Sequence, residues 1–265
     1  MALKVRLLLD GERPKVGEKT LRRVVERAGF DVVTGKADMG IVVGGDGVFS
    51  RYGRTESLPL LFVGVRSKTA TGSKAYLAEA YFDELSEALG KLASGNFTIK
   101  KQRRLEVLKN GKELGRVFTD AYLQRGAESN CIRYRVKVRG QGLSIDESAI
   151  GDGVVVTTAA GSTGYYSYPD KIKGDSVELA AHAGVGESEV GICHVIPTFT
   201  ERHGTREHPL RYTVPWGSVI EISITRPADA RLYGVGLGRG GIAVEIEDLI
   251  SILPADDATK VVSLE

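Results

Sequence analysis

Residues 39–43 read Met-Gly-Ile-Val-Val and run, without a polar side chain, into Gly44-Gly45-Asp46-Gly47. A stretch that is apolar on both of its alternating faces suits a strand covered on both sides, the condition of a parallel sheet in an α/β layer. Its neighbours repeat the theme. Residues 5–9 form a short apolar run ending at Asp10-Gly11, and residues 31–34 and 60–65 read as further strands. Between the first two, residues 17–28 place Leu21, Val24, Val25 and Ala28 on one helix face, and Gly29 stops the turn. Residues 75–92 are long and periodic enough for another helix. Strands alternating with helices predict a parallel sheet whose ligands sit at the carboxyl ends of its strands. That points at the loops after Val43 and Val65.

Beyond residue 96 the period changes. Residues 105–108 and 114–118 flank Asn110-Gly111, a hairpin signature. Residues 131–138 alternate strictly, with Ile132, Tyr134, Val136 and Val138 on one face and Arg133, Arg135 and Lys137, then Arg139, on the other. Cations so placed are expected to protect a sheet edge; a surface for an acidic substrate or a subunit is the alternative. Residues 153–158, 190–196, 219–224 and 242–246 add short strands, with no long helix among them. The expected fold is an α/β N-terminal domain with a parallel sheet (residues 1–98) plus a mainly β C-terminal domain (residues 99–265). The last residues are expected to pack back on the first domain. The basic run Lys100, Lys101, Arg103, Arg104 marks the junction.

Charge excludes several function classes. Thirty-six Lys and Arg against 34 Asp and Glu leave a formal +2, so no nucleic-acid or membrane partner is advertised. No run approaches 18 apolar residues, and residues 1–9 carry no secretory pattern. Two cysteines, Cys131 and Cys193, make no disulfide framework, which fits a reducing cytoplasm. Glycine is the outlier, at 33 of 265 residues, well above the usual ~7%.

Two glycine-rich stretches carry chemistry. In the first, Gly44, Gly45 and Gly47 leave backbone N–H groups unobstructed for phosphate oxygens. Asp46 among them can accept a proton from an attacking hydroxyl or hold Mg²⁺. An Asp-Gly turn after a strand is the plain alternative. In the second, Gly151-Asp152-Gly153 opens an apolar run into Thr157-Thr158-Ala159-Ala160-Gly161-Ser162-Thr163-Gly164-Tyr165. Its hydroxyls and N–H groups can line a polar ligand, or simply cap a turn.

In this order, the two stretches resemble the NAD kinase family, whose hallmarks are a GGDG motif and a later D-G-hydrophobic-T-x-x-G-S-T-[AG]-Y motif. Ile196-Pro197, His208-Pro209-Leu210 and Val214-Pro215 are similar to the family's late proline-containing segment. The resemblance implies an NAD kinase-like fold, an active site between two domains, and transfer of a phosphoryl group from ATP or polyphosphate, with Mg²⁺, to the 2′-hydroxyl of NAD. It makes Asp46 the base or metal-organising residue and gives Gly44, Gly45 and Gly47 the phosphate contacts. It lines the dinucleotide site with Asp152, Thr158, Ser162, Thr163 and Tyr165. A homodimer or homotetramer is implied as well. Positioning and charge neutralisation are what phosphoryl transfer demands, so a glycine cradle with one carboxylate suffices.

Departures cluster on the acceptor side. The family's Asn-Glu pair, which contributes to adenine recognition, is replaced by Thr119-Asp120. Thr lacks a two-edged amide, and Asp is one methylene shorter than Glu. The family's S-A-G-G becomes Ser167-Tyr168-Pro169-Asp170, no late D-G-Q is present, and N-x-G-x-x-G-F-L gives way to residues 65–74. In that stretch Arg66, Lys68 and Lys74 bracket a small-residue turn: a phosphate or carboxylate clamp, or a solvated basic loop. These changes favour an acceptor smaller or more anionic than the adenosine half of NAD, such as a sugar, a polyol or a phosphorylated metabolite. A non-catalytic nucleotide-binding regulator is the alternative outside the enzymes. His182, His194, His203 and His208 with Cys193 fit no zinc template, so no metal ligands are assigned.

Overall fold

The computed structural model describes residues 3–12, 16–65, 74–128, 130–172, 184–235 and 240–265. Two compact units divide the chain: Met1–Gln102 with Ala258–Glu265, and Arg103–Asp257.

In the first unit the apolar runs become parallel strands. Strand β1 (Lys4–Leu9) pairs with β2 (Asp31–Val32) on one side and β3 (Met39–Gly44) on the other. Strand β4 (Leu60–Gly64) follows β3 in register, Gly40 opposite Leu60 and Gly44 opposite Gly64. Every residue of β3 and β4 is buried, as strands covered on both faces require. Helix α1 (Glu18–Arg27) buries Leu21 and Val25 against the sheet, each such side chain contributing roughly 1.5–3 kcal/mol. Within the last strand of the chain, Ile250–Leu264, Val261 pairs in parallel with Leu60.

Two elements depart from expectation. Helix α2 (Asp46–Thr55) starts inside the glycine motif. It carries no apolar stripe: Phe49 and Gly53 are its buried residues, with the Phe49 ring stacked 4.8 Å from Phe62. The helix expected over residues 75–92 begins ten residues later. Ala75 sits at φ 52°, and residues 80–81 form β5 (Ala80–Tyr81), paired with the end of β4. A 3-10 turn at Phe82–Glu84 then leads into α3 (Leu85–Ala93), which buries Leu85, Ala88, Leu89 and Leu92. Pairing with β4 outcompetes helix propensity over the first part of that stretch.

The second unit is two sheets face to face. Strands β6 (Phe97–Lys109) and β7 (Lys112–Val117) form the hairpin, turning on Asn110 and Gly111, both at positive φ. Next come β8 (Asp120–Arg125), β9 (Ile132–Gly140), β10 (Leu143–Gly151), β11 (Gly153–Thr157) and α4 (Tyr168–Ile172). Strands β12 (Glu189–Val195), β13 (Phe199–Arg202), β14 (Arg211–Pro215), β15 (Val219–Ile224), β16 (Ala230–Tyr233), β17 (Ile242–Val244) and β18 (Ile250–Leu264) complete the chain. One sheet runs β13-β10-β9-β15-β18; the other runs β14-β12-β11-β8-β16-β17. Their facing sides bury Tyr134, Val136 and Val138 against Leu123, Val154, Val156 and Ile192.

The cationic face of β9 does not protect an edge. Strand β9 is hydrogen-bonded to β10 on one side and β15 on the other. Arg135 pairs with Asp146 across one boundary and Arg139 lies 3.9 Å from Glu221 across the other. Cross-strand ion pairing accounts for Arg135 and Arg139 of the stripe.

Inside the second unit lies a buried polar cluster. Glu147 accepts from Arg202 Nε (2.8 Å) and Tyr212 Oη (2.7 Å), and lies 3.2 Å from His194 Nε2. Tyr134 Oη donates to the Gly153 carbonyl at 2.6 Å and is 2.9 Å from His194 Nδ1. Burial raises the Glu147 carboxyl, but the hydrogen bonds from His194, Tyr212 and Arg202 outweigh it and leave its pKa lowered.

Candidate functional site

At the carboxyl end of β3 the chain turns directly into α2. A Cβ on Gly44 would sit 2.8 Å from the Val48 side chain, so the turn needs glycine there. Gly45 is the extended N-cap residue, Asp46 opens the helix half-buried, and Gly47 is exposed. The first-turn N–H groups of a helix find no carbonyl within it and favour an anion. Asp46 Oδ1 accepts the Leu77 N–H at 3.0 Å, so the segment before β5 is tied to the glycine loop. Burial, then the Asp46 carboxylate, raises the Tyr76 phenol above its ordinary value. Lys74 is exposed on the same segment, whereas Arg66 and Lys68 lie outside the described residues.

The hydroxyl-rich loop divides by orientation. Thr158 is buried and donates to the Phe118 carbonyl at 2.6 Å, and its N–H reaches the Thr119 carbonyl. Ser162 is buried as well, donating to Ala159. These two hold the loop's shape. Thr163 is half-buried, and Gly164 and Tyr165 are exposed, so the loop presents them outward. Thr119 is itself buried, and its hydroxyl donates to Asp120 Oδ1 at 3.0 Å. It therefore positions the neighbouring carboxylate.

Asp152 sits apart from this group. It is ion-paired to Arg125 at 2.8 Å, at the opposite end of β11 from Thr158. Six residue steps separate them, roughly 20 Å at about 3.3 Å per residue. The loop and Asp120, by contrast, come together: Thr157 stands opposite Asp120 across the strands.

Sequence reasoning missed a row of residues beside the loop. Arg211, Cys193, Val155, Tyr122 and Tyr233 stand in register across β14, β12, β11, β8 and β16, on the side away from the buried core. The Tyr122 ring stacks on Tyr233 (5.2 Å) and meets Tyr165 (5.3 Å). Burial pushes the Cys193 thiol up to about 12, leaving it an inert packing group.

Among the described residues no group of three or more His, Cys, Asp or Glu is placed to hold a metal ion. Mg²⁺ bound with a nucleotide needs only one or two protein carboxylates, the rest of its shell coming from phosphates and water. Asp46 fits that demand as a single carboxylate beside an anion-favouring turn. No helix among the described residues is long and apolar enough to cross a membrane.

An α/β unit followed by a mainly antiparallel β unit is the fold of solved NAD and NADH kinases. The structure superposes on yeast NADH kinase complexed with NADH at a TM-score of 0.74, with 14% identity over 100% of this chain and 84% of that one. It also matches an Archaeoglobus fulgidus NAD kinase in complex with ATP, at a TM-score of 0.66 and 19% identity over 100% and 94%. In sequence, the chain is 31% identical to the NAD kinase of Methanopyrus kandleri over 158 residues, 58% of this chain and 50% of that protein. It is also 34% identical over 142 residues to the NAD kinase of Natranaerobius thermophilus, 51% of this chain and 46% of that protein. In its leading matches it spans about half the length of the curated relatives. No protein-family model matches it.

Proposed function

We propose that the protein is a phosphotransferase that moves the terminal phosphoryl group of ATP to the 2′-hydroxyl of NAD, giving NADP and ADP. The observation that carries this reading is Asp46, a carboxylate fixed at the opening of α2 inside a glycine turn. In the reaction, Asp46 accepts the proton of the acceptor hydroxyl as its oxygen bonds to phosphorus, and the bond to the ADP oxygen breaks. The N–H groups of Gly45 and Gly47, at the opening of α2, meet the phosphate oxygens. Mg²⁺ held with the phosphates supplies charge neutralisation.

The second unit holds the acceptor, through Asp120, Thr163 and Tyr165, while Thr119, Thr158 and Ser162 keep those groups in place. The relatives named NAD kinase support NAD as acceptor, and the ATP complex of the Archaeoglobus enzyme supports ATP as donor. A smaller, more anionic acceptor depends on the cationic loop, of which Lys74 alone lies among the described residues. Assembly as a homodimer or homotetramer and action in the cytoplasm belong to the same reading.

The test is direct. Purified protein with Mg²⁺, NAD and either ATP or polyphosphate is scored for NADP, beside a panel of sugars and polyols. Robust NADP formation with ATP is expected, with KM in the usual range of about 1 μM–1 mM. Turnover confined to another hydroxyl refutes NAD as acceptor, and turnover with polyphosphate alone refutes ATP as donor.

A further inference from the structure

The segment after the hydroxyl-rich loop is too short to hold its own shape. Tyr165–Ser167 is a single 3-10 turn and α4 has five residues, whereas helices below about 12–15 residues are marginal without tertiary support. Support arrives from β14. Arg211 binds both oxygens of Asp170, Nη1 at 2.5 Å and Nη2 at 2.9 Å. The same Nη1 reaches the Tyr166 carbonyl at 3.3 Å, and the guanidinium carbon lies 5.1 Å from the Tyr166 ring centroid. Both side chains are largely removed from solvent, Arg211 at 19% exposure and Asp170 at 12%. A planar fork is the cation suited to gripping a carboxylate and an aromatic face together.

Other contacts fix the rest of the segment. Tyr168 Oη donates to the His194 carbonyl and accepts the Ile196 N–H. Gly191 makes room for Tyr166, since a Cβ there would lie 2.6 Å from the ring. From this anchored piece, the Ser167 hydroxyl is shared between the Thr163 and Gly164 carbonyls, and Lys171 Nζ also donates to Thr163. The outward-facing part of the loop is thus tied to what Arg211 holds.

We propose that Arg211 is a positioning residue for the acceptor loop: through Asp170 and Tyr166 it fixes Thr163, Gly164 and Tyr165 in one arrangement. The inference rests on the acceptor role given to that loop above. Pro169 and Asp170 open α4 in the buried part of the segment. A carboxylate buried there requires a cation, and Arg211 is that cation.

Arg211→Lys, which keeps the charge but loses the fork, and Asp170→Asn, which removes the acid, test this in the full chain. Hydrogen exchange is expected to quicken about tenfold over residues 163–172 in both variants and to stay unchanged over residues 132–151. The KM for NAD is expected to rise about tenfold or more, with the KM for ATP held within about twofold. Unchanged exchange over residues 163–172 overturns the clamp, whichever hydroxyl is the acceptor. Faster exchange with an unaltered KM for NAD overturns its bearing on the acceptor. A parent protein that phosphorylates no NAD refutes the proposed reaction, while the exchange measurement still decides the clamp.

Discussion

Asp46→Asn separates the chemical role of the glycine loop from its structural one. The amide oxygen of Asn can go on accepting the Leu77 N–H that Asp46 Oδ1 accepts at 3.0 Å, so the attachment of that segment survives. What disappears is the negative charge and the proton-accepting oxygen. On stability, the lost term is an acidic side chain in the first turn of α2, about 0.3–1 kcal/mol. For a domain of some 150–250 residues that corresponds to a Tm lower by roughly 1–4 °C. On rate, loss of a general base lowers kcat by about 10²–10⁴, or roughly 3–5 kcal/mol at ~1.36 kcal/mol per decade. The two scales are well separated. The assay is NADP formation at saturating ATP and NAD, with thermal melting of the same preparations. Near-parental kcat refutes a chemical role for the carboxylate. A melting loss near 10 °C instead shows that Asp46 is a structural strut.

Two further substitutions probe the second unit. Glu147→Gln breaks a carboxylate that is fully buried and takes hydrogen bonds from Arg202 and Tyr212, and is expected to cost about 3 kcal/mol by urea unfolding. Because the Glu147 carboxyl is held below its ordinary value in the folded state, its contribution is complete above the unfolded carboxyl pKa of about 4.3 and is lost as pH falls below that toward the folded value. The melting temperature of Glu147→Gln should accordingly fall less than the parent's between about pH 5 and about pH 3; equal slopes would show that the carboxylate is not held down. Thr119→Val removes the hydroxyl that donates to Asp120 and leaves the backbone carbonyl that Thr158 uses. A stability loss of about 1 kcal/mol is expected, with a raised KM for NAD and an unchanged KM for ATP; equal changes in both would contradict a positioning role.

Much of this architecture was readable because its elements answer to local rules. Strands β3 and β4 have no polar side chains and are buried throughout, and the Asn110-Gly111 turn takes positive φ at both positions. The glycine motif and the hydroxyl-rich loop were likewise visible as stretches. Helix α2 was hidden because a ten-residue helix that buries Phe49 and a glycine has no stripe to display. The start of α3 was misplaced because pairing of Ala80 and Tyr81 with β4 is a tertiary event. The neighbours of β9 were equally unreadable: alternation gives the faces of a strand but not whether its edges are bonded. The row from Arg211 to Tyr233 depends on register among five strands separated by long stretches of chain. No local pattern carries that information.

The same register explains how the loop of residues 158–170 keeps a defined shape. At Thr119, the hydroxyl bonds the adjacent Asp120. At Asp170, Arg211 stands on β14 to meet both carboxylate oxygens. Buried polar groups without such partners would cost several kcal/mol and leave the loop in many arrangements. With them, Thr163 and Tyr165 project from a segment tied to two strands of the same sheet. A loop held this way can discriminate between acceptors, because discrimination requires contacts that do not relax around the wrong molecule. The polar groups of residues 119–120 and 167–170 are therefore each matched to a partner that holds the loop in one arrangement, which is what the proposed role in binding an acceptor requires.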